Sequence, residues 1–204
     1  EGKMAFWHSS SHVLAQVLEE FYPGIKLTIG PAIKNGFYYD VDLNNHKISD
    51  DDFFKIEKRF IEICREKHEF ELREVSMKEA EKFYKKKDNK YKLELISELK
   101  DEKITFCDHS NFTDLCKGGH ISNTTIIKAV KILNISGAFW RGDQNKKQLT
   151  RIYGISFPKE KLLKEYISNI EEAKLRDHRK IGKNLELFSF SSKVGLGLPL
   201  WLPK

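Results

Sequence analysis

The chain has 204 residues, 40% hydrophobic and 32% charged, which suits a folded globular protein with one good-sized core or one core plus an appendage, and excludes a disordered chain. No apolar run approaches the roughly 20 residues that span a bilayer and no leader pattern opens the sequence, so no membrane partner is expected. The net charge of +6 leans toward a polyanionic partner, and three cysteines without paired spacing argue for a reducing, cytoplasmic setting rather than a disulfide framework.

The first element is a helix containing HSSSHVLAQVL, residues 8–18. At about 100° per residue, His12 falls roughly 40° from His8, while Val13, Leu14, Val17, Leu18 and Phe21 cluster on the other side. The histidines thus stand nearly opposite the apolar stripe, which disfavours a core role and leaves a solvated polar face as the plainest reading. KLTIGPAIKNGFYYDVDL then reads as two strands, broken at Gly30-Pro31 and turned at Asn35-Gly36. Apolar spacing behind an acidic cluster predicts a helix over Asp50 to Lys67, with Cys64 on its buried stripe. EFELREV reads as a strand, Met77–Lys87 and Lys92–Leu99 as short helices, and KITFCDH as a strand that buries Cys107. Asp108 to Thr125 has no clear period and reads as loop. AVKILNISGAFW and QLTRIYGISF read as strands. From Lys159 a long helical rhythm runs to the basic cluster Arg176–Lys183, with Gly182 as its stop. The apolar tail KVGLGLPLWLPK reads as the first strand of a further domain, poorly anchored by itself. Hairpin strands mixed with helices, without βαβ alternation, predict an α+β fold: an antiparallel sheet with packed helices, followed by a long linker helix.

The chemistry lies in two distant pairs. FTDLCKGGHI supplies Asp114, Cys116 and His120, and Gly118-Gly119 lets the backbone fold tightly enough for thiol and imidazole to converge. Three histidines and one cysteine are the ligand types of a tetrahedral zinc site. The same groups, metal-free, would form a pocket of neutral imidazoles and a thiol that holds and activates a water. Residue chemistry leaves both open.

HSSSHVLAQVL, IGPAIKNGFYYDVDL, YKLELI, FTDLCKGGH, GAFWRGD, LTRIYGISF and RDHRKIGKNLELF, in this order, closely resemble bacterial threonyl-tRNA synthetases. The resemblance covers nearly the whole chain. It implies an editing domain (the second additional domain of class II synthetases) over residues 1–157, a linker helix over 158–184, and the start of the catalytic domain over 185–204. The editing domain of that family hydrolyses serine wrongly attached to threonine tRNA. Carried over by motif, the catalytic set is His8, His12, Lys92, Asp114, Cys116 and His120, with Gly30, Tyr38 and Tyr39 lining the pocket. The family usually has proline where Gly119 stands, which bears on the placement of His120.

Serine is threonine minus a methyl, a difference worth only about 1–3 kcal/mol in a binding site, so a second, hydrolytic sieve makes physical sense. The methyl must be what that sieve refuses, by a wall expected at His8 or His12 against Tyr38 or Tyr39. The resemblance implies no metal at the editing site, whereas related alanyl editing domains hold zinc through the same HxxxH and CxxxH pattern. A zinc-dependent deacylase is therefore the alternative, and a non-catalytic tRNA-binding module a third reading. The implied partners are the acceptor end of tRNA(Thr), through Arg141, Lys146, Lys147 and the Arg176–Lys183 cluster, and the remainder of the synthetase. The whole synthetase would use ATP, magnesium and a catalytic-domain zinc and form a homodimer. These 204 residues are expected to be monomeric and unable to form threonyl-adenylate.

Overall fold

The computed structural model describes residues 2–99, 103–191, 193–195 and 197–203. It divides into two compact units, Glu1–Glu160 and Lys161–Lys204.

In the first unit, α1 (Gly2–Phe21) is followed by β1 (Lys26–Leu27), β2 (Ala32–Ile33) and β3 (Gly36–Asp42), and then by α2 (Phe53–Arg65) behind a single 3-10 turn at Asp50–Asp52. Next come β4 (Glu71–Val75), α3 (Met77–Lys86), α4 (Lys90–Glu98), β5 (Ile104–His109), β6 (Phe112–Leu115), β7 (Ala129–Phe139) and β8 (Gln148–Phe157). Two antiparallel sheets result. One has the order β1-β3-β8-β7, with β2 pairing β3 beside β1, and the other has the order β4-β5-β6. This is the expected α+β fold. The sequence read two strands before residue 43 where there are three. β2 pairs Ile33 with Gly36, so the tight turn is Lys34-Asn35 and Gly36 takes the positive φ of 114° just after it.

Helix α1 departs most from expectation. Trp7 and every residue from Ser9 to Leu18 are buried, including His12 at 2% exposure and Ser9, Ser10 and Ser11 at 0%. The face opposite the apolar stripe is therefore not solvated. The helix packs on β2, β3, α2 and β8, and serines on its different sides bond neighbouring segments: Ser10 Oγ meets Ser156 Oγ at 2.7 Å, and Ser11 Oγ donates to the Gly30 carbonyl at 2.5 Å. A helix covered on all sides carries no clean amphipathic signal.

Residues 108–125 contain strand β6, not only loop. Its Asp114 pairs with Cys107 of β5, and its Leu115 packs against a cluster of Ala80, Tyr84, Ile96, Ile104 and Phe106 drawn from α3, α4 and β5. Cys64 and Cys107 are core residues, as expected.

In the second unit the long rhythm is two helices: α5 (Glu160–Leu175), which begins at the last residue of the first unit, and α6 (His178–Asn184). Asp177 interrupts the rhythm because its side chain accepts from the Arg179 amide, capping α6. Gly182 is no stop. It lies inside α6, where a Cβ would sit 2.2 Å from the Phe188 ring. The apolar tail is paired: β10 (Pro199–Trp201) runs antiparallel to β9 (Phe188–Phe190). Leu196 and Lys204 of that tail lie outside the described residues.

Candidate active site

One pocket, of about 350 Å³, opens where α1, the Gly30 bend, α4 and the end of β6 meet. It is lined by His8, His12, Gly30, Tyr39, Lys92, Asp114 and Cys116, and His120 closes the cluster from behind. Tyr38 does not join it. Alternation along β3 sends Tyr39 inward, whereas Tyr38 points to the other face, against Tyr153 and with the Arg151 guanidinium 3.9 Å from its ring centre.

Four ligand-type atoms converge. His8 Nε2 lies 3.3 Å from His12 Nε2 and 3.5 Å from Cys116 Sγ, and Cys116 Sγ lies 3.2 Å from His120 Nε2. The four groups can offer atoms that all fall within 4.8 Å of one another. Ligands about 2.0–2.3 Å from a central zinc in a tetrahedron stand about 3.3–3.7 Å apart, so the set fits such an ion. It fits equally a water with two protons to give and a lone pair to receive a donor.

Burial is the first cause of every shift in the cluster. It lowers His8, holds His12 well below the ordinary imidazole range, and takes His120 down to about 3, with neighbouring imidazoles adding to the effect at His12 and His120. The Cys116 thiol is pushed up to about 11, again first by burial. At neutral pH the cluster is thus three uncharged imidazoles and a thiol. That thiol is a poor nucleophile in the metal-free site.

Beside the imidazoles lies a charged anchor. Asp114, 3% exposed, receives the Lys92 ammonium at 2.5 Å on one oxygen and the Tyr39 hydroxyl at 2.6 Å on the other. The Tyr84 hydroxyl donates to it at 3.2 Å and itself accepts from the Leu115 amide at 2.7 Å. His12 Nδ1 looks toward the same carboxylate from 3.8 Å. Asp114 therefore orients Lys92 and Tyr39 together, while His12 Nδ1 stays beyond hydrogen-bond reach of it.

His109 was not singled out by its sequence context. It is 2% exposed, neither ring nitrogen has a hydrogen-bond partner, and its ring packs against Phe70, Phe112 and, edge-on, His12. Burial takes it down to about 4. Its only signal was an inward position at the end of β5.

These depressed imidazoles make a prediction. The unfolded chain takes up protons near pH 6.5 that the folded chain refuses, so stability is full above that pH and falls as pH drops toward about 4. Each such histidine contributes a slope of about 1.4 kcal/mol per pH unit within its window. Urea midpoints should hold near pH 7 and fall steeply between about pH 6 and 4, and His109→Phe should flatten the slope. A flat profile would contradict the burial of these rings.

Comparison with known proteins adds the family. A family model described as the threonyl and alanyl tRNA synthetase second additional domain matches residues 104–153, which hold β5, β6 and the Cys116–His120 loop. Over its full 204 residues the chain is 68% identical to the threonine–tRNA ligases of Flavobacterium psychrophilum and Flavobacterium johnsoniae, and 56% identical to that of Cytophaga hutchinsonii. The chain belongs to the threonyl-tRNA synthetase family. It covers 31% of the length of the two Flavobacterium ligases and 32% of the Cytophaga one. Within this family segment the site spans both HxxxH and CxxxH, and only the second lies inside the matched residues.

The basic residues suggested for tRNA are engaged within the chain. Arg141 pairs with Glu94 and Glu98, Lys146 with Glu94, and Lys147 with Asp42. Partly exposed pairs of this kind are worth about 0–1 kcal/mol, so a phosphate can replace the carboxylate at little cost. No helix among the described residues is long and apolar enough to cross a membrane.

Proposed function

We propose that this chain is the proofreading part of a threonine–tRNA ligase and hydrolyses the ester of seryl-tRNA(Thr). The observation that carries the reading is the convergence of His8, His12, Cys116 and His120 on a pocket that also holds the Lys92–Asp114–Tyr39 anchor. An aminoacyl ester is already activated, so its hydrolysis needs a positioned water, a proton acceptor and a charge facing the developing oxyanion. The imidazole lone pairs hold the water and accept its proton as its oxygen bonds to the ester carbonyl carbon. Lys92 supplies the positive charge, and Asp114 keeps it aimed. The ester C–O bond then breaks as the imidazolium returns that proton to the leaving ribose oxygen, releasing serine and the ribose hydroxyl of the tRNA end. The set is assigned as a unit, so alanine at any one of His8, His12, Lys92, Cys116 or His120 should slow serine release from seryl-tRNA(Thr). Effects in double variants should be non-additive. Wild-type rates in all five single variants would remove the assignment.

A second reading is favoured by one observation, the 3.2–3.5 Å spacings that suit tetrahedral coordination. His8, His12, Cys116 and His120 would then hold a zinc ion, which lowers the pKa of a bound water to about 7 where a coordination position stays open. Four protein ligands would close that position, which is why the metal-free water is preferred. Elemental analysis of protein purified without chelators separates the two. The metal-free reading expects substoichiometric zinc and deacylation that survives chelation; stoichiometric zinc with chelator-sensitive activity would replace it.

In the whole protein, residues 1–157 would form the editing domain, 158–184 the linker and 185–204 the start of the catalytic domain. That protein would act in the cytoplasm as a homodimer, joining threonine to tRNA(Thr) at the expense of ATP.

A further inference from the structure

We propose that Ser9, between the two histidines of α1, is a positioning residue that fixes the tautomer of His120 and so turns its Nε2 lone pair toward the centre of the site. Ser9 is fully buried. Its hydroxyl has three neighbours: the Ala5 carbonyl at 2.9 Å, the Ile121 amide nitrogen at 3.0 Å and His120 Nδ1 at 3.3 Å. A hydroxyl has one proton and two lone pairs. The Ala5 carbonyl can only accept, and it is the nearest of the three, so the Ser9 proton goes there. The Ile121 amide can only donate, and it takes one lone pair. The remaining lone pair faces His120 Nδ1, which must therefore carry a hydrogen and donate it. A neutral imidazole protonated at Nδ1 has its lone pair on Nε2.

That lone pair points at Cys116 Sγ, 3.2 Å away. There it meets the Cys116 S–H as an acceptor, and sulfur lone pairs remain to receive the Gly118 amide at 3.3 Å. The opposite tautomer would set an Nε2 proton against the thiol and would require the Ser9 proton to leave the nearer Ala5 carbonyl for Nδ1. Ser9 also ties both ends of the arrangement together. The Ile121 bond holds the chain just after His120, on the far side of Gly118 and Gly119, whose φ values of 97° and 85° only glycine adopts readily. The loop that departs from the family pattern at Gly119 is thus pinned to α1 by one hydroxyl.

Ser10 and Ser11, equally buried, bond Ser156 and the Gly30 carbonyl instead. The three serines rivet α1 to three different segments, and only Ser9 reaches an imidazole of the cluster. The tautomer assignment stands on this geometry alone, while its effect on rate rests on the deacylase reading above.

The test is a long-range proton–nitrogen NMR correlation on the whole chain labelled with nitrogen-15, with His120 assigned by its absence in His120→Gln. In the wild type, His120 should appear as the Nδ1–H tautomer; an Nε2–H signal there overturns the proposal without any variant. In Ser9→Ala the His120 signals should move toward the Nε2–H form, and in Ser10→Ala, equally buried on the same helix, they should not. An unchanged tautomer in Ser9→Ala, or an equal shift in Ser10→Ala, also overturns it. Serine release from seryl-tRNA(Thr) should fall about 10- to 100-fold in Ser9→Ala, the range typical of partners that orient a functional imidazole. A shifted tautomer with an unchanged rate would support Ser9 as the lock and count against the deacylase role of His120.

Discussion

Asp114→Ala is expected to destabilise the first unit by about 3–5 kcal/mol and to abolish deacylation. The reason is what the carboxylate leaves behind. Lys92 is 2% exposed and its ammonium has Asp114 at 2.5 Å, so removing the partner strands a buried positive charge. The hydroxyls of Tyr39 and Tyr84 lose their acceptor in the same step. Burial, the first cause that holds both phenols well above the normal range, survives the substitution, so neither readily ionises to compensate for Lys92. Removing both charges should be milder. Lys92→Met combined with Asp114→Asn should recover much of the stability lost in Asp114→Ala, because no unpaired charge remains, yet stay inactive. Chemical denaturation read beside a deacylation assay checks both halves. A double variant as unstable as the single one would show that packing, not charge, dominates at Asp114.

Gly30→Ala should have the second-largest effect. A Cβ on Gly30 would lie 2.1 Å from Cδ2 and 2.5 Å from Cε2 of Tyr39, distances no carbon pair tolerates. Tyr39 is fully buried and bonded to Asp114, so it has little room to retreat. The bend is also fixed from the other side, since Ser11 donates to the Gly30 carbonyl. Overpacking of this kind costs about 1–3 kcal/mol, and the displaced ring would move into the pocket or off the carboxylate. Serine release should drop at least as far as in the single histidine variants while the protein still folds. In a double-variant cycle, Gly30→Ala should cost less stability in a Tyr39→Ala background than in the wild type, because the ring it collides with is gone. An active Gly30→Ala protein would mean that Tyr39 need not hold its observed position.

Much of the fold was legible in the sequence because its signals are local. The Asn35-Gly36 pair marked a turn, the acidic cluster at Asp50–Asp52 marked the start of α2, and the alternation in β7 and β8 marked strands. Signals failed where tertiary contact decides. The stripe of α1 left His8 and His12 on what reads as a wet face, but the fold covers it, leaving His12 2% exposed. Strand β6 has four residues, too few for a period, and exists because β5 pairs with it. The helical rhythm after Lys159 could not reveal the break at Asp177, which depends on a cap one residue long. In the site, residue types and motif order named a set whose members the fold does bring together, except Tyr38. Strand parity separates Tyr38 from Tyr39, and a motif match that takes both neighbours ignores it. His109 escaped because a lone histidine at a strand end carries no pattern. Ser9 escaped because its part lies in a hydrogen-bond count that needs coordinates.

The central claim is selective hydrolysis, and a paired deacylation assay tests it most directly. The purified chain would be incubated with seryl-tRNA(Thr) and, separately, threonyl-tRNA(Thr), each labelled in the amino acid, and release followed over time. On the proposed reading, the additional methyl of threonine would be refused by the pocket wall that His8, His12 and Tyr39 help to line, a penalty of about 1–3 kcal/mol for forced overlap. The account predicts serine release well above the spontaneous rate and threonine release at least about tenfold slower. Serine release no faster than in buffer, or equal release of both amino acids, would contradict it.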